Sequence, residues 1–275
     1  MKLLVLGGNG MAGHVLVRYL RTRTAHRVLW TSRDPHDRDA LQLDVADPER
    51  VLHLLDAAAP DVVVNTVGVL NAAAADDPPQ AYRINGLLPH LLRERMSRSG
   101  GKVVHISTDC VFSGQRGGYA EHDDPDGTSV YARSKALGES HDSRHLTIRT
   151  SIIGPEIRPE GIGLMRWFMA QRGEVRGYTQ VMWNGVTTLE LAQAVHRYLE
   201  AGLGGLVHLT APETLSKHEL LQKMAHIWKR GEVRLVPDDE VRLDRTLVNT
   251  RRDLPYAAPG YDEMLEALHT WMTAP

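Results

Sequence analysis

A tyrosine and a lysine four residues apart, Tyr131 and Lys135, form a pair whose side chains could move a proton. If residues 129–140 form a helix, both side chains lie on one face, because positions i and i+4 are neighbours on a helix surface. A nearby ammonium stabilises phenolate and lowers the pKa of a phenol. Thr108 follows the apolar run at 103–106 and would face the pair from a strand end. We therefore predict Thr108, Tyr131 and Lys135 as a catalytic set that passes a proton to or from a substrate oxygen.

A glycine-rich turn near the N-terminus is the second feature with chemical meaning. Gly7, Gly10 and Gly13 follow a short apolar run at 2–6 and open a helical pattern, with the spacing G-x-x-G-x-x-G. In a strand–turn–helix unit the first glycine permits a tight turn and the second lets the backbone approach a pyrophosphate. The third lets helix and strand pack closely. We predict a dinucleotide-binding turn here, with Met11 also beside the cofactor.

The end of the second predicted strand, at 27–31, bears on which nicotinamide cofactor is used. A site for NAD commonly has an acidic residue there, which binds the ribose 2′-hydroxyl. This chain has Ser32 and Arg33 instead, and a hydroxyl and a guanidinium suit a 2′-phosphate. We therefore favour NADP(H) as the cofactor. Asp34 follows immediately and keeps NAD(H) open.

Strands and helices alternate over residues 1–150, which predicts an α/β fold with a Rossmann-type doubly wound parallel sheet. Ligands of such folds bind at the carboxyl ends of the strands. The predicted strands are 2–6, 27–31, 41–45, 61–67, 102–107 and 145–149. Further cofactor-binding candidates at those ends, or on the facing helix at 78–97, are Asp44, Val45, Asn65, Thr66, Val67 and Asn85.

The alternation loosens beyond residue 154. We predict a dinucleotide-binding domain at 1–154, to which part of 185–210 returns, and a smaller C-terminal substrate-binding lobe at 155–184 and 211–275. Within this region, Ser216 followed by Glu219 is a capping box and predicts a helix over 216–230. The segment 177–186 is predicted as a loop or a short strand.

Composition argues against several classes of protein. A net charge of −2 over 275 residues gives no broad electrostatic attraction to nucleic acid or to an anionic membrane. No apolar stretch approaches the roughly 20 residues that a membrane span needs, and the short apolar run before Gly7 indicates a strand rather than a signal peptide. The single cysteine, Cys110, excludes an intramolecular disulfide and favours a cytoplasmic protein. No cysteine pair or close His–Glu motif indicates a metal site.

Several segments resemble the dTDP-4-dehydrorhamnose reductase family of extended short-chain dehydrogenases/reductases. They are the three glycines, Thr108 with Tyr131 and Lys135, the stretches STDCVFSG and VYARSKALGE within 107–139, Asn65, AYRIN at 81–85 and RTSIIGP at 149–155. The resemblance is strong over about residues 1–155. It is weaker beyond them, where 184–192 and 244–247 are similar to the family's substrate lobe.

The resemblance implies reduction of the keto group of a nucleoside-diphosphate 4-keto-6-deoxysugar, with hydride from nicotinamide C4. It implies Tyr131 as proton donor and Thr108 as the residue that orients the carbonyl. Lys135 would bind the nicotinamide ribose and lower the pKa of the phenol. Cys110 stands where many relatives have an aromatic residue. The substrate-binding candidates are Thr108, Asp109, Cys110, Trp183, Asn184 and Arg245, and the expected assembly is a homodimer.

Two other functions stay open at this point. An epimerase or dehydratase of the same superfamily would hold its NAD tightly and need none added. A non-catalytic binding or regulatory subunit would use the sugar pocket for contacts, although the intact set of Thr108, Tyr131 and Lys135 weighs against that role. The sequence names neither the nucleotide, the sugar nor the pathway.

Overall fold

The computed structural model describes residues 1–158 and 160–274. Its strands are β1 (Lys2–Leu6), β2 (Arg27–Ser32), β3 (Leu41–Gln42), β4 (Val62–Asn65), β5 (Lys102–Ile106), β6 (Leu146–Arg149), β7 (Ile152–Ile153), β8 (Gly173–Trp183), β9 (Val186–Thr187), β10 (Gly205–His208), β11 (Leu215–Ser216) and β12 (Val233–Asp244).

The helices complete the order of elements. They are α1 (Met11–Arg23), α2 (Pro48–Ala58), α3 (Asn71–Asp76), α4 (Pro78–Ala81), α5 (Leu88–Arg98), α6 (Val130–Leu137), α7 (Leu164–Ala170), α8 (Thr188–Glu200), α9 (Lys217–Ile227) and α10 (Tyr261–Thr273). A π-helical stretch, Tyr82–Leu87, joins α4 to α5, and a 3-10 turn, Asp109–Val111, follows β5.

Seven strands form one sheet in the order β10-β6-β5-β4-β1-β2-β3, and every neighbouring pair in it is parallel. This arrangement confirms the predicted Rossmann-type fold. Apolar side chains fill both faces, as expected of a parallel sheet covered by helices. In β1, Leu3 and Val5 pack with residues of α1 and α8, while Leu4 and Leu6 pack with residues of α2 and α5.

Two strands, β3 and β4, are shorter than the sequence predicts by more than one residue. The backbone of Leu43 still donates to Ser32 O at 3.0 Å, but the chain then turns where the Asp44 carboxylate accepts from Ala46 N at 3.0 Å. A side chain that bonds its own backbone two residues on favours a turn over a strand. β4 likewise ends at Asn65, whose Oδ1 accepts from Val67 N at 3.2 Å.

The C-terminal part of the chain contributes to this sheet and adds a second one. β10 pairs with β6 at the edge of the main sheet, and α8, which precedes it, packs against α1. The second sheet has the order β11-β8-β12, with β12 parallel and β11 antiparallel to β8. The division into two domains at the boundaries given above stays a prediction.

The expectation of a loop or short strand at 177–186 is wrong for most of that segment, because β8 runs to Trp183. Its buried residues alternate, at Val175, Gly177, Val181 and Trp183, but glycine and polar residues hide that period in the sequence. Gly177 is required by packing, since an added Cβ would lie 2.7 Å from a ring nitrogen of His218 on α9.

A buried ion pair joins the ends of β5, β6 and α6. Arg149 donates to Glu139 through Nε at 2.9 Å and Nη2 at 2.7 Å, and the two side chains are 2% and 5% exposed. The Ser107 hydroxyl donates to the same carboxylate at 2.6 Å. Two parallel hydrogen bonds fix the guanidinium and carboxylate planes, so the residue that precedes Thr108 is held in one position.

Replacing Glu139 with Gln should lower the free energy of unfolding by about 3 kcal/mol, because it leaves the buried Arg149 charge without a partner. Urea unfolding followed by circular dichroism measures the change. Asp142→Asn is the matched control, because the partner of Asp142, Arg144, is 71% exposed. Loss of an exposed ion pair should leave the free energy of unfolding unchanged. Equal losses in the two variants would contradict the structural role of the buried pair.

Candidate active site

The predicted catalytic helix forms and carries both of its functional side chains. α6 begins after Ser129, whose hydroxyl accepts from Ala132 N at 3.0 Å and so satisfies a free N–H of the first turn. Tyr131 and Lys135 follow at adjacent turns of one face. The observed helix is shorter than the predicted 129–140, because the chain leaves helical geometry after Leu137.

Lys135 fastens this helix to the main sheet. Its Nζ donates to Ile106 O, the last carbonyl of β5, at 2.7 Å, and the residue is 3% exposed. Burial lowers the pKa of Lys135 to about 8, although the Glu139 carboxylate acts in the opposite direction. The side chain therefore changes charge close to the pH of a cell.

Tyr131 is half-buried beside the end of β5, with the Thr108 hydroxyl close to its phenol. Burial raises the pKa of Tyr131 above its ordinary value, the Cys110 thiol and Asp109 add to the rise, and the neighbouring Thr108 hydroxyl opposes it. The expectation that the phenol's pKa is lowered is therefore wrong for this structure. A phenol in this setting stays protonated at neutral pH, which suits a proton donor.

Thr108 is held by its own neighbours in the chain. Its hydroxyl donates to Asp109 Oδ1 at 3.1 Å and accepts from Cys110 N at 3.1 Å, which caps the 3-10 turn. A hydroxyl has one donor and two acceptor positions, so the Thr108 oxygen keeps one acceptor position open. Burial raises the pKa of Asp109, while Lys217, this hydrogen bond and Arg245 oppose that rise.

Lys217, which the sequence does not single out, lies next to the 3-10 turn Asp109–Val111, which is called the catalytic turn below. Its Nζ is 4.3 Å from the centre of the Trp183 ring, a cation–π contact. Burial lowers the pKa of Lys217 to about 8, against the opposing effect of Asp109 and Cys110. The sequence marks only the helix start at Ser216, and nothing local shows that the next side chain lies near Asp109.

Arg245 approaches the same turn from the end of β12. Its Nε donates to Phe112 O at 2.9 Å, and one Nη lies 3.6 Å from the Cys110 sulfur. Burial raises the pKa of Cys110 to about 12, so the sulfur is a thiol and not a nucleophilic thiolate. Of the predicted substrate residues, the structure thus places Asp109, Cys110 and Arg245 together with Thr108.

The other two predicted substrate residues are engaged differently. Trp183 is buried, with its ring 5.6 Å from that of Tyr261 and in contact with the ammonium of Lys217. The Asn184 amide donates to Leu247 O at 2.7 Å and accepts from Leu247 N at 3.0 Å. Asn184 therefore positions the segment that follows Arg245.

The glycine-rich turn has the shape that a bound pyrophosphate requires. Gly7 has φ +80°, and a Cβ on Gly13 would lie 2.1 Å from Gly7 O. α1 begins at Met11 after Gly10, with no side-chain cap and no acidic residue in its first turn. Its first N–H groups are thus open to an anion at the positive end of the helix. These residues fit a dinucleotide cofactor, with Met11 at the rim of the turn near Gly163.

The predicted amides beside the cofactor site hold backbone in place. Asn65 is buried and its Nδ2 lies 3.2 Å from His105 Nδ1. Asn85 Oδ1 accepts from Val69 N at 2.8 Å, and its Nδ2 donates to Val69 O at 2.9 Å and to Ser134 Oγ at 3.0 Å. Asn85 thus links α6 to the loop after β4.

The remaining candidates divide between buried and exposed positions. Thr66 Oγ1 donates to Leu6 O at 2.7 Å, and Val67 packs partly buried against the core. Ser32 and Val45 are buried, whereas Arg33 and Asp44 are exposed. Ser32 is the last residue of β2, and the other candidates of this group follow the carboxyl ends of β2, β3 and β4.

The 1–158 and 160–274 segments contain no cluster of three or more His, Cys, Asp or Glu side chains suited to a metal ion. Over the same segments, no helix has the length and apolar character needed to cross a membrane.

Comparison with known proteins shows which protein family this chain matches. A family model described as the RmlD substrate binding domain matches residues 1–243. The probable low-salt glycan biosynthesis reductase Agl14 of Haloferax volcanii is 28% identical over 92% of this chain and 88% of its own. A dTDP-4-dehydrorhamnose reductase of Burkholderia thailandensis is 36% identical, over 50% of this chain and 44% of its own.

The fold is shared with a solved structure over almost the whole chain. The dTDP-4-dehydrorhamnose reductase of Bacillus anthracis, determined in complex with NADP, superposes with a TM-score of 0.84. The superposition covers 98% of this chain and 99% of that one, at 19% identity. At this level of identity the similarity concerns the fold.

Replacing Gly13 with Ala should weaken the binding of NADH and NADPH at least about a hundredfold, because the Cβ forces the turn to shift by a distance comparable to 1 Å. Isothermal titration of the purified protein measures this. Gly231→Ala is the control, since nothing lies within 4 Å of its added Cβ, and it should leave affinity unchanged. Unaltered binding of both cofactors by the Gly13 variant would show that the turn is not part of the cofactor site.

Proposed function

We propose, since the chain belongs to the RmlD substrate binding domain family, that it is an NAD(P)H-dependent reductase of a nucleoside-diphosphate 4-keto-6-deoxysugar. One observation carries the proposal. The Tyr131 phenol, the Thr108 hydroxyl and the Lys135 anchor meet at the carboxyl edge of the same sheet whose first turn fits a pyrophosphate. This combination suits hydride transfer coupled to proton donation.

The nicotinamide cofactor, when bound, supplies the hydride that reduces the carbonyl carbon. Tyr131 gives its proton to the oxygen that becomes the hydroxyl, and a phenol with a raised pKa holds that proton until it is needed. Thr108, close to the phenol, would orient the substrate carbonyl, as the resemblance implies. Lys135 would bind the nicotinamide ribose, as the resemblance implies.

Two cations beside the catalytic turn suit an anionic substrate. Lys217 and Arg245 lie next to Asp109 and Cys110, so the turn that carries Thr108 faces more positive than negative charge. A diphosphate is the natural partner for such a pair, and Arg245 can also donate in a fork geometry. We assign Asp109, Cys110, Lys217 and Arg245 to the substrate side of the site, with Trp183 and Asn184 supporting them.

The preferred cofactor within this proposal is NADP(H), with NAD(H) as the alternative. Arg33 is exposed immediately after β2, where its guanidinium is free to meet a 2′-phosphate. A homodimer and a cytoplasmic location stay expectations, and sedimentation of the purified protein measures the first of them.

A substrate panel tests the function directly. Oxidation of NADPH, followed by its absorbance, should occur with one of the dTDP-, UDP- or GDP-linked 4-keto-6-deoxysugars. NADH is run in parallel. Turnover without added cofactor, by protein purified with bound NAD, would instead identify an epimerase or dehydratase. No turnover by folded protein that binds NADPH would favour a binding subunit or another substrate class.

Tyr131→Phe should reduce turnover about a thousandfold, because the proton donor is lost. NADPH affinity should stay within about threefold of the parent, since the ring and its packing remain. Tyr178→Phe is the matched control, because Tyr178 is 41% exposed on β8 and should keep full activity. Full activity in the Tyr131 variant would eliminate it as the proton donor.

Reduction should slow as pH rises through about 8, the pKa to which burial lowers Lys135. Above that pH Lys135 loses its proton, and with it the positive charge that is proposed to hold the cofactor ribose. Because kcat/KM reports groups of the free enzyme, it is the quantity to follow across the pH range. Lys217→Met removes the other lysine with a pKa of about 8. If kcat/KM of this variant still falls above about pH 8, the fall belongs to Lys135. If kcat/KM of that variant no longer falls with rising pH, the fall in the parent belongs to Lys217.

A further inference from the structure

A carboxylate outside the predicted site, Asp37, lies at the carboxyl end of β2. Asn9, in the glycine-rich turn, connects it to that end. The Asn9 Nδ2 donates to Asp37 Oδ2 at 2.9 Å and to Ser32 Oγ at 3.0 Å. An amide nitrogen carries two hydrogens, and these two bonds use both of them. Asn9 therefore holds the carboxylate of the loop against the last residue of the strand.

The backbone of the loop after β2 explains why Asp37 reaches this place. Asp34 Oδ1 accepts from His36 N at 2.9 Å, and Asp37 N donates to Asp34 O at 3.2 Å, so the chain turns back at once. Gln42, at the end of β3, donates to Asp34 O at 2.6 Å and to Asp37 O at 3.3 Å. The position of Asp37 is thus set by a tied turn as well as by its side-chain bond.

The end of the second strand has a known meaning in this class of fold. An acidic residue there binds the ribose 2′-hydroxyl of NAD, and its absence or replacement by a basic residue accommodates a 2′-phosphate. In this chain the strand ends with Ser32, whose buried hydroxyl already accepts from Asn9 and from Asp34 N at 3.0 Å. The acidic group missing from the strand end is brought to it by the loop.

We propose that Asp37, positioned by Asn9, is a specificity-determining residue that supports NAD(H) and limits the preference for NADP(H). The inference rests on the proposed function, because it concerns the cofactor of that site. A carboxylate accepts hydrogen bonds from a ribose hydroxyl. It repels a 2′-phosphate, which carries a charge of about −1.5 to −2 at neutral pH. Arg33, exposed on the same loop, acts in the opposite direction. The cofactor preference is the balance of these two residues.

Measuring the binding of NADH and NADPH to the purified chain tests the opposing effects of Asp37 and Arg33 without any sugar substrate. Isothermal titration gives the Kd of NADH and of NADPH for the parent and for Asp37→Asn. The ratio of the NADH Kd to the NADPH Kd should rise about tenfold in the variant, since one negative charge beside the 2′ position is removed while the side-chain shape is kept. Titration with AMP and with adenosine 2′-monophosphate should show the same change.

Asp39→Asn is the matched control, because it removes the same charge from an exposed position of the same loop. Its ratio should stay within about twofold of the parent. Asn9→Ala should shift the ratio in the same direction as Asp37→Asn, because it releases the carboxylate. Thermal unfolding of each variant checks that the protein is still folded.

Three results would overturn the inference. The first is an unchanged ratio of the NADH Kd to the NADPH Kd in Asp37→Asn, and the second is an equal rise of that ratio in Asp39→Asn. The third is a lower ratio in Asp37→Asn, which means a stronger preference for NADH. In each of these the chain still binds a dinucleotide, so the proposed function survives. A parent protein that binds neither NADH nor NADPH would overturn the proposed function and the role of Asp37 together.

Discussion

The hydrogen bond from Lys135 Nζ to Ile106 O connects the catalytic helix to the sheet, and the geometry of the site depends on it. A long flexible side chain would otherwise sample many rotamers, but burial and this single acceptor confine it. With the helix fastened, Tyr131 lies close to Thr108 at the start of the neighbouring 3-10 turn. The Glu139 carboxylate, shared by Ser107 and Arg149, provides a second attachment one turn farther along the chain.

Burial then decides the protonation of each group in the site. It raises the pKa of Tyr131 and of the Cys110 thiol, and it lowers the pKa of Lys135 and Lys217 to about 8. Desolvation disfavours every charged form, so the neutral phenol and thiol are retained while the lysines titrate near neutrality. A site with a protonated phenol is prepared to give a proton to a developing alkoxide, in agreement with the reductive direction proposed.

Segments distant in the chain complete the site. Lys217 opens α9 and Arg245 follows β12, yet both reach the turn that Thr108 begins. At the other end of the crevice, the loop after β2 returns Asp37 to the glycine-rich turn. The match to the family model over residues 1–243 confirms the resemblance to the dTDP-4-dehydrorhamnose reductase family. We propose that specificity for sugar and cofactor depends on these contacts between distant segments.

The sequence by itself determined the parallel sheet, the glycine-rich turn and the pairing of Tyr131 with Lys135, because these depend on local periodicity and spacing. It also identified Thr108 and the family. Only the tertiary structure decided that β8 is a long strand, that Lys217 lies near Asp109 and Asp37 bonds Asn9, and that the phenol's pKa is raised rather than lowered. Each of these depends on which distant segments pack together and how much water they exclude, and neither quantity is encoded in the spacing of neighbouring residues.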